Sequence, residues 1–523
     1  MKKIIFVSLL FIFLIVFSLQ SYNASNFKIT YYYKILGNDQ TLSAVNFSND
    51  DEGNLLILYN SNNGAAIISK IDNNGQIQDT FSIISTSQIN SRIKAYYIVK
   101  DGDYNLILAS LSTLCDCANY GLLLKFKDRD IIWAKSFFVG LDVIVKKVVV
   151  DYDGNYLVLA STKIGQDGYD LLVMKFDANG NLLWYKIYGS QGNEYAEDII
   201  ASFGNEYLVI GREEGSNKGL IILSIDKDGN LKWSKLINID ISEGIATSFN
   251  VESKYVIFGN RENTVFIISI GRNGSINYSK SYDENLKIRV FSVTKNNEGG
   301  FNVVGSVQIM GVEKAIFLEF DENLSQIASY VLDEQNTRFK ASSQAMNSNI
   351  IFGEKDGNKL ILFKASLDLT FPSSDMFLPI SFPLKDFVLN SADLGLNISN
   401  QDIYLNNADL KIQTYNINTL ESVEVLVDPS VTTVTVRIRT TLTRYETQYN
   451  TVTTSTAVTK TTSVTNLVNY TTTVYSTNPT SLTVTNTKTS TVFTINYTDP
   501  TVIATLILAF LIGLGIAIAF RRI

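Results

Sequence analysis

The chain reads as an all-β protein: a seven-bladed β-propeller followed by a small β module, a Ser/Thr-rich stalk and one transmembrane helix. Three observations predict this. One unit recurs with starts 46 to 52 residues apart, the period of a four-stranded propeller blade. Each unit holds short apolar runs separated by Asp/Asn/Gly turns. A copy of one of those runs stands alone ahead of the repeats, without partners of its own.

Taken in order, Lys2 and Lys3 precede an apolar run over 4–19 and then polar SYNASN, which reads as a signal peptide over 1–25. No clear small-x-small cleavage pair follows, so an uncleaved signal-anchor is the alternative. In both cases the rest is exported.

The propeller is expected over 27–366. Its clearest unit spans 153–202 and opens with DGNYLVLAS; counterparts start at residues 52, 101, 204, 253, 299 and 348. A second strand follows (LLVMKFD, 171–177), then a tight turn with Gly180, matched by Gly75, Gly229 and Gly274 where positive φ is expected. A third strand begins with an aromatic residue, Trp184, Trp233 or Tyr278, with Trp133 one residue early. A fourth run, AEDIIAS at 196–202, leads into the next unit. One such sheet leaves an apolar face bare, whereas radial stacking covers both. YYKILG at 32–37 matches WYKIYG at 184–189, so the N-terminal strand is expected to complete the last blade. The alternative is that 367–371 supplies that strand.

The order turn-Gly, Trp, Y-G, acidic E-x-A-x-D and D-G-x-Y-x-x-x-G resembles the extracellular seven-bladed β-propeller repeat family of bacterial and archaeal surface proteins, over residues 28–366. That resemblance implies an exported, mostly non-catalytic scaffold whose ligand is unassigned. The turn-Gly-to-Trp part also resembles quinoprotein-dehydrogenase blades, but no cytochrome-type motif accompanies it.

Three of the six prolines (Pro372, Pro379, Pro383) mark a boundary, and 371–428 reads as a small β module or linker. Residues 430–498 are a Thr/Ser/Val-rich stalk, extended by its Thr-Val alternation or else disordered. It resembles stalks of archaeal cell-surface proteins. Residues 501–520 carry no charge and are long enough to span a bilayer as a helix. Arg521 and Arg522 in the tail, 521–523, favour the cytoplasmic side, giving a single-pass cell-membrane protein with its ectodomain outside.

The chain has no histidine, which removes the usual neutral-pH acid/base and the commonest transition-metal ligand. A non-enzyme without cofactor is therefore expected. Glu194, Glu197 and Asp198 are the candidate carboxylates for the competing reading, an extracellular polysaccharide hydrolase or lyase. Asp151, Asp153, Asp226 and Asp228 open like calcium loops, but the twelfth-position Glu is absent; they read as hairpin turns or weak calcium sites. Cys115 and Cys117 form a disulfide candidate and are too few for zinc. Sequons at Asn23, Asn46, Asn273, Asn277, Asn323, Asn397, Asn469 and Asn496 are N-glycosylation candidates on an exported glycoprotein. A net charge of −7 gives no electrostatic basis for nucleic-acid binding. The expected role is a binding module for an envelope protein or glycan, or a structural or substrate-capturing part of an envelope assembly. Its specificity is expected where the repeats differ.

Overall fold

A computed structural model describes residues 29–427, short loop stretches excepted, together with 434–442, 452–458, 466–471 and 487–492. The expected signal peptide (1–25) and membrane segment with its tail (501–523), and Cys115, Cys117, Asn23 and Asn496, lie outside the described residues. Among the described residues no helix is long and apolar enough to cross a membrane. Within the Thr/Ser/Val-rich segment, Asn466–Thr471 and Thr487–Val492 pair antiparallel.

Seven four-stranded antiparallel sheets form the blades. In blade 3 the order from axis to rim is Asp142–Val150, Tyr156–Lys163, Tyr169–Phe176 and Leu182–Gly189. The two middle strands are apolar almost throughout because both of their faces are covered by neighbouring blades. Sequence repeat and blade are out of phase by one strand: AEDIIAS belongs to Asn193–Ser202, the innermost strand of blade 4. The core is divided into seven clusters between adjacent blades. One joins Leu106, Leu108 and Leu123 of blade 2 to Val143, Tyr156 and Leu172 of blade 3.

Blade 7 takes three strands from 337–365 and its fourth from the N-terminal Ile29–Gly37, which pairs with Lys359–Ala365 in the register Tyr32↔Lys364 to Leu36↔Leu360. The ring is thus latched by its own N-terminal strand. Leu369 does not extend this sheet; it is buried between blades 6 and 7.

The recurring Gly and aromatic residues meet between blades, not within a repeat. Trp184 lies against Gly229 of the next blade and donates to the Lys227 carbonyl at 2.9 Å. Trp133 contacts Gly180, and Trp233 contacts Gly274. At the closure Tyr32 plays the same part against Gly75. Gly229 has φ +80°, and a Cβ there would stand 2.9 Å from the Lys186 side chain and 3.0 Å from the indole, so backbone conformation and close approach both require glycine.

Among the described residues, the segment read as a small β module or linker forms no sheet of its own. Its short strands run round the rim and add a fifth strand to each blade in reverse order. Phe377–Pro379 joins blade 6, Leu384–Asp386 blade 5, Ser391–Asp393 blade 4 and Asn397–Ser399 blade 3. Ile403–Asn407 then joins blade 2, Leu410–Thr414 joins blade 1, and Asn418–Val427 lies beside the N-terminal strand in blade 7. Successive strands begin six to eight residues apart, a reach of at most about 3.6 Å per residue from one rim to the next. This belt caps outer edges that would otherwise present unpaired backbone groups. It also seats an apolar side chain in each inter-blade cluster, with Phe377 and Phe382 fully enclosed. Leu389, Leu394, Leu405, Leu410 and Ile417 pack against the other five.

Candidate functional site: the central channel

The innermost strand of every blade carries a β-bulge at the same step, where two residues oppose one on the neighbouring strand. In six blades the bulged residue, Val45, Tyr96, Lys146, Glu197, Phe291 or Lys340, lines the central channel. Blade 5 has its bulge at Ala246. A bulge re-aims side chains locally, so one sequence position becomes a ring of different residues round the axis. The channel encloses about 830 Å³ and runs from this ring to the far ends of the inner strands, where Lys100, Tyr152 and Lys295 stand.

Its charges fall into two sets. Between blades 3 and 4, Lys146 donates to Glu197 at 2.7 Å, and Arg212 holds the other Glu197 oxygen at 2.7 Å. Lys147 pairs with Asp198 beside it. Burial alone pushes the Lys147 ammonium down, but Asp198 and Tyr97 outweigh it and hold it above the ordinary lysine value. Across the axis, Lys340 has no carboxylate or hydrogen-bond partner among the described residues, and its Nζ sits 3.9 Å from the centroid of the Phe291 ring. Burial holds this ammonium below the ordinary lysine value; Arg338 and Arg289 add to that, against Glu354 and Glu313.

Of the three candidate carboxylates, Glu197 and Asp198 line the channel and Glu194 does not. Glu194 is fully buried opposite Glu213, accepts from the Ser190 hydroxyl, and leaves Oε2 unpartnered. Glu194 and Glu197 therefore do not face one shared substrate position.

Of the other sequence candidates described within 31–423, one lines the channel and the rest are not among its lining residues. Asp151 accepts from the backbone of Asp153 and Asn155, pairs with Lys175 at 2.9 Å and accepts from the Tyr207 hydroxyl at 2.9 Å. Asp226 accepts from the backbone of Asp228 and Asn230. These acids build turns and, at Asp151, a buried staple to the next blade. Asp101, Lys125 and Tyr156 repeat that staple between blades 2 and 3. Asn273, Asn277 and Asn323 are exposed. Asn397 and Asn469 lie in strands. Asn46 is the exception: it lines the channel, its Oδ1 accepting from the Phe47 amide.

Lys146, Lys147, Phe291 and Lys340 were not singled out from sequence. Equivalent positions in the seven inner strands range over aliphatic, aromatic, acidic and basic residues, with lysine alone recurring, so only the shared bulge reveals them as a set.

No family model matches the chain, and no curated protein matches it. The resemblance to the surface-protein repeat therefore rests on motifs. Solved structures similar to it include the AfRom2 CNH domain, at 10% identity and TM-score 0.37, covering 64% of this chain and 99% of that one. Extracellular domains 1-2 of Drosophila Semaphorin 1a are similar at 8% identity and TM-score 0.40, covering 63% of this chain and 87% of that one. The blade count rests on strand pairing, not on these likenesses.

Proposed function

We propose that the chain is a membrane-anchored cell-surface protein whose propeller is a binding module for an envelope glycan or protein, with the central channel as its ligand site. One observation carries this reading: a channel of about 830 Å³, within the usual range for ligand pockets, lined by six bulge residues of mixed apolar, aromatic, acidic and basic chemistry. Channel carboxylates are neutralised in Lys146–Glu197–Arg212 and Lys147–Asp198 pairs, which suits a fixed recognition surface better than a protonated acid beside a free base. Export and anchoring follow from the sequence of 1–25 and 501–523.

The test is binding of the full chain, in detergent, to a glycan array and to cell-envelope fractions. Saturable binding that is lost when Ser292, on the channel wall, is replaced by tryptophan supports the reading. Absence of binding to either, or binding indifferent to that substitution, contradicts it.

A further inference from the structure

The channel is cationic in an acidic protein. Five lysines (Lys100, Lys146, Lys147, Lys295 and Lys340) stand against two carboxylates among its described lining residues, while the whole chain carries −7. Both carboxylates are already paired with Lys146, Lys147 and Arg212. Lys100 donates to the Asp50 carbonyl at 3.0 Å. Lys295, exposed at the mouth, and Lys340, at the bulge ring, have no anionic partner among the described residues.

Lys340 is the telling group. Its Nζ rests on the Phe291 face, an interaction weaker than a charge-assisted hydrogen bond to an anion in a partly dry site. The charge is parked on a ring, and its lowered proton affinity says that its surroundings undersatisfy it. The same channel wall carries Asn46, Ser292 and Ser342, which offer amide and hydroxyl groups, and Phe291 and Tyr96, which offer flat apolar faces. Hydroxyl-rich rings bearing acid groups fit such a mixture.

Building on the reading of the channel as a ligand site, we propose that it takes an acidic saccharide, whose carboxylate or sulfate is held by the Lys340 ammonium at the bulge ring and steered in by Lys295 at the mouth.

The experiment measures binding of polygalacturonate, dextran sulfate and neutral dextran to the full chain in detergent. Expected is binding of at least one polyanion and not of dextran, weakening as salt rises. The two polyanions separate a carboxylate from a sulfate ligand. Lys340→Met lowers affinity by about tenfold or more, the loss of one charge-assisted contact. Lys340→Arg keeps most of it, Lys295→Met weakens it a few-fold, and Lys411→Met on the outer belt changes nothing. Melting curves establish that each variant is folded. The proposal is overturned if neither polyanion binds, if dextran binds equally well, or if folded Lys340→Met binds as before. Envelope binding blocked by Ser292→Trp but untouched by Lys340→Met would sink the acidic-saccharide proposal and leave the binding module standing. No binding of any kind would remove both.

Discussion

At the scale of single residues, the repeat acids and aromatics act as inter-blade staples. Asp151 shows why. Burial raises its proton affinity, but Lys175, the Asn155 amide and the Tyr207 hydroxyl outweigh burial and hold its carboxyl below the ordinary aspartate value. A depressed folded value means that the native state binds fewer protons than the unfolded chain near and below the ordinary value of 3.8. Its contribution is therefore fully present at neutral pH and is lost as pH falls from that value through the lower folded one. Lys175→Met leaves a buried carboxylate with one partner fewer and is expected to cost about 3–5 kcal/mol at pH 7. Denaturant titrations at pH 7 and pH 3 check this, with a smaller difference between variant and wild type at the lower pH.

Glu213 behaves in the opposite sense. Burial and the facing Glu194 push its carboxyl above the ordinary glutamate value. Here the folded state holds the proton more tightly, so stability falls as pH rises from the ordinary value of 4.5 through the raised one. Glu213→Gln is expected to raise the melting temperature at pH 7 and to give no gain at pH 4. An equal gain at both pH values would refute the carboxyl pairing as its cause.

At the scale of elements, the belt was the least legible part of the chain. Phe377–Pro379, Leu384–Asp386, Ser391–Asp393 and Asn397–Ser399 are three residues each, too short for strand alternation to register. Their apolar anchors follow the spacing of blades round a ring, which matches neither a helix nor a strand. By contrast, the match of 32–37 to 184–189 correctly placed Tyr32 where Trp184 stands, because closure repeats the same contact against a turn glycine. The Gly180-to-Trp184 offset was visible as a pattern, but its meaning was not: Trp184 packs on Gly229, in the next blade. Phe377→Ala and Phe382→Ala are each expected to cost about 3–5 kcal/mol, the range for emptying a buried Phe site. Denaturant unfolding measures it, and a loss below about 1 kcal/mol would show that the belt is loosely held.

At the scale of the whole molecule, both ends of the propeller segment bind its blades together. The N-terminal strand joins the last blade, and the belt adds a strand to every rim. A ring fastened in this way keeps the seven inner-strand bulges in register, which is what makes the channel wall a defined surface. The blades were readable because each repeats one set of packing contacts. The channel was not, because its chemistry lies at the step where the repeats differ: Val45, Tyr96, Lys146, Glu197, Phe291 and Lys340 share a place, and of their residue types lysine alone recurs. Glu197 was noticed as an acid, while the partners that neutralise it, Lys146 and Arg212, come from other strands. The central claim, that ligand is bound in this channel, is tested most directly by comparing envelope-fraction binding of the full chain with that of Ser292→Trp, both checked for equal melting temperature. The account predicts that the tryptophan abolishes binding without loss of stability; undiminished binding by a stable Ser292→Trp chain would contradict it.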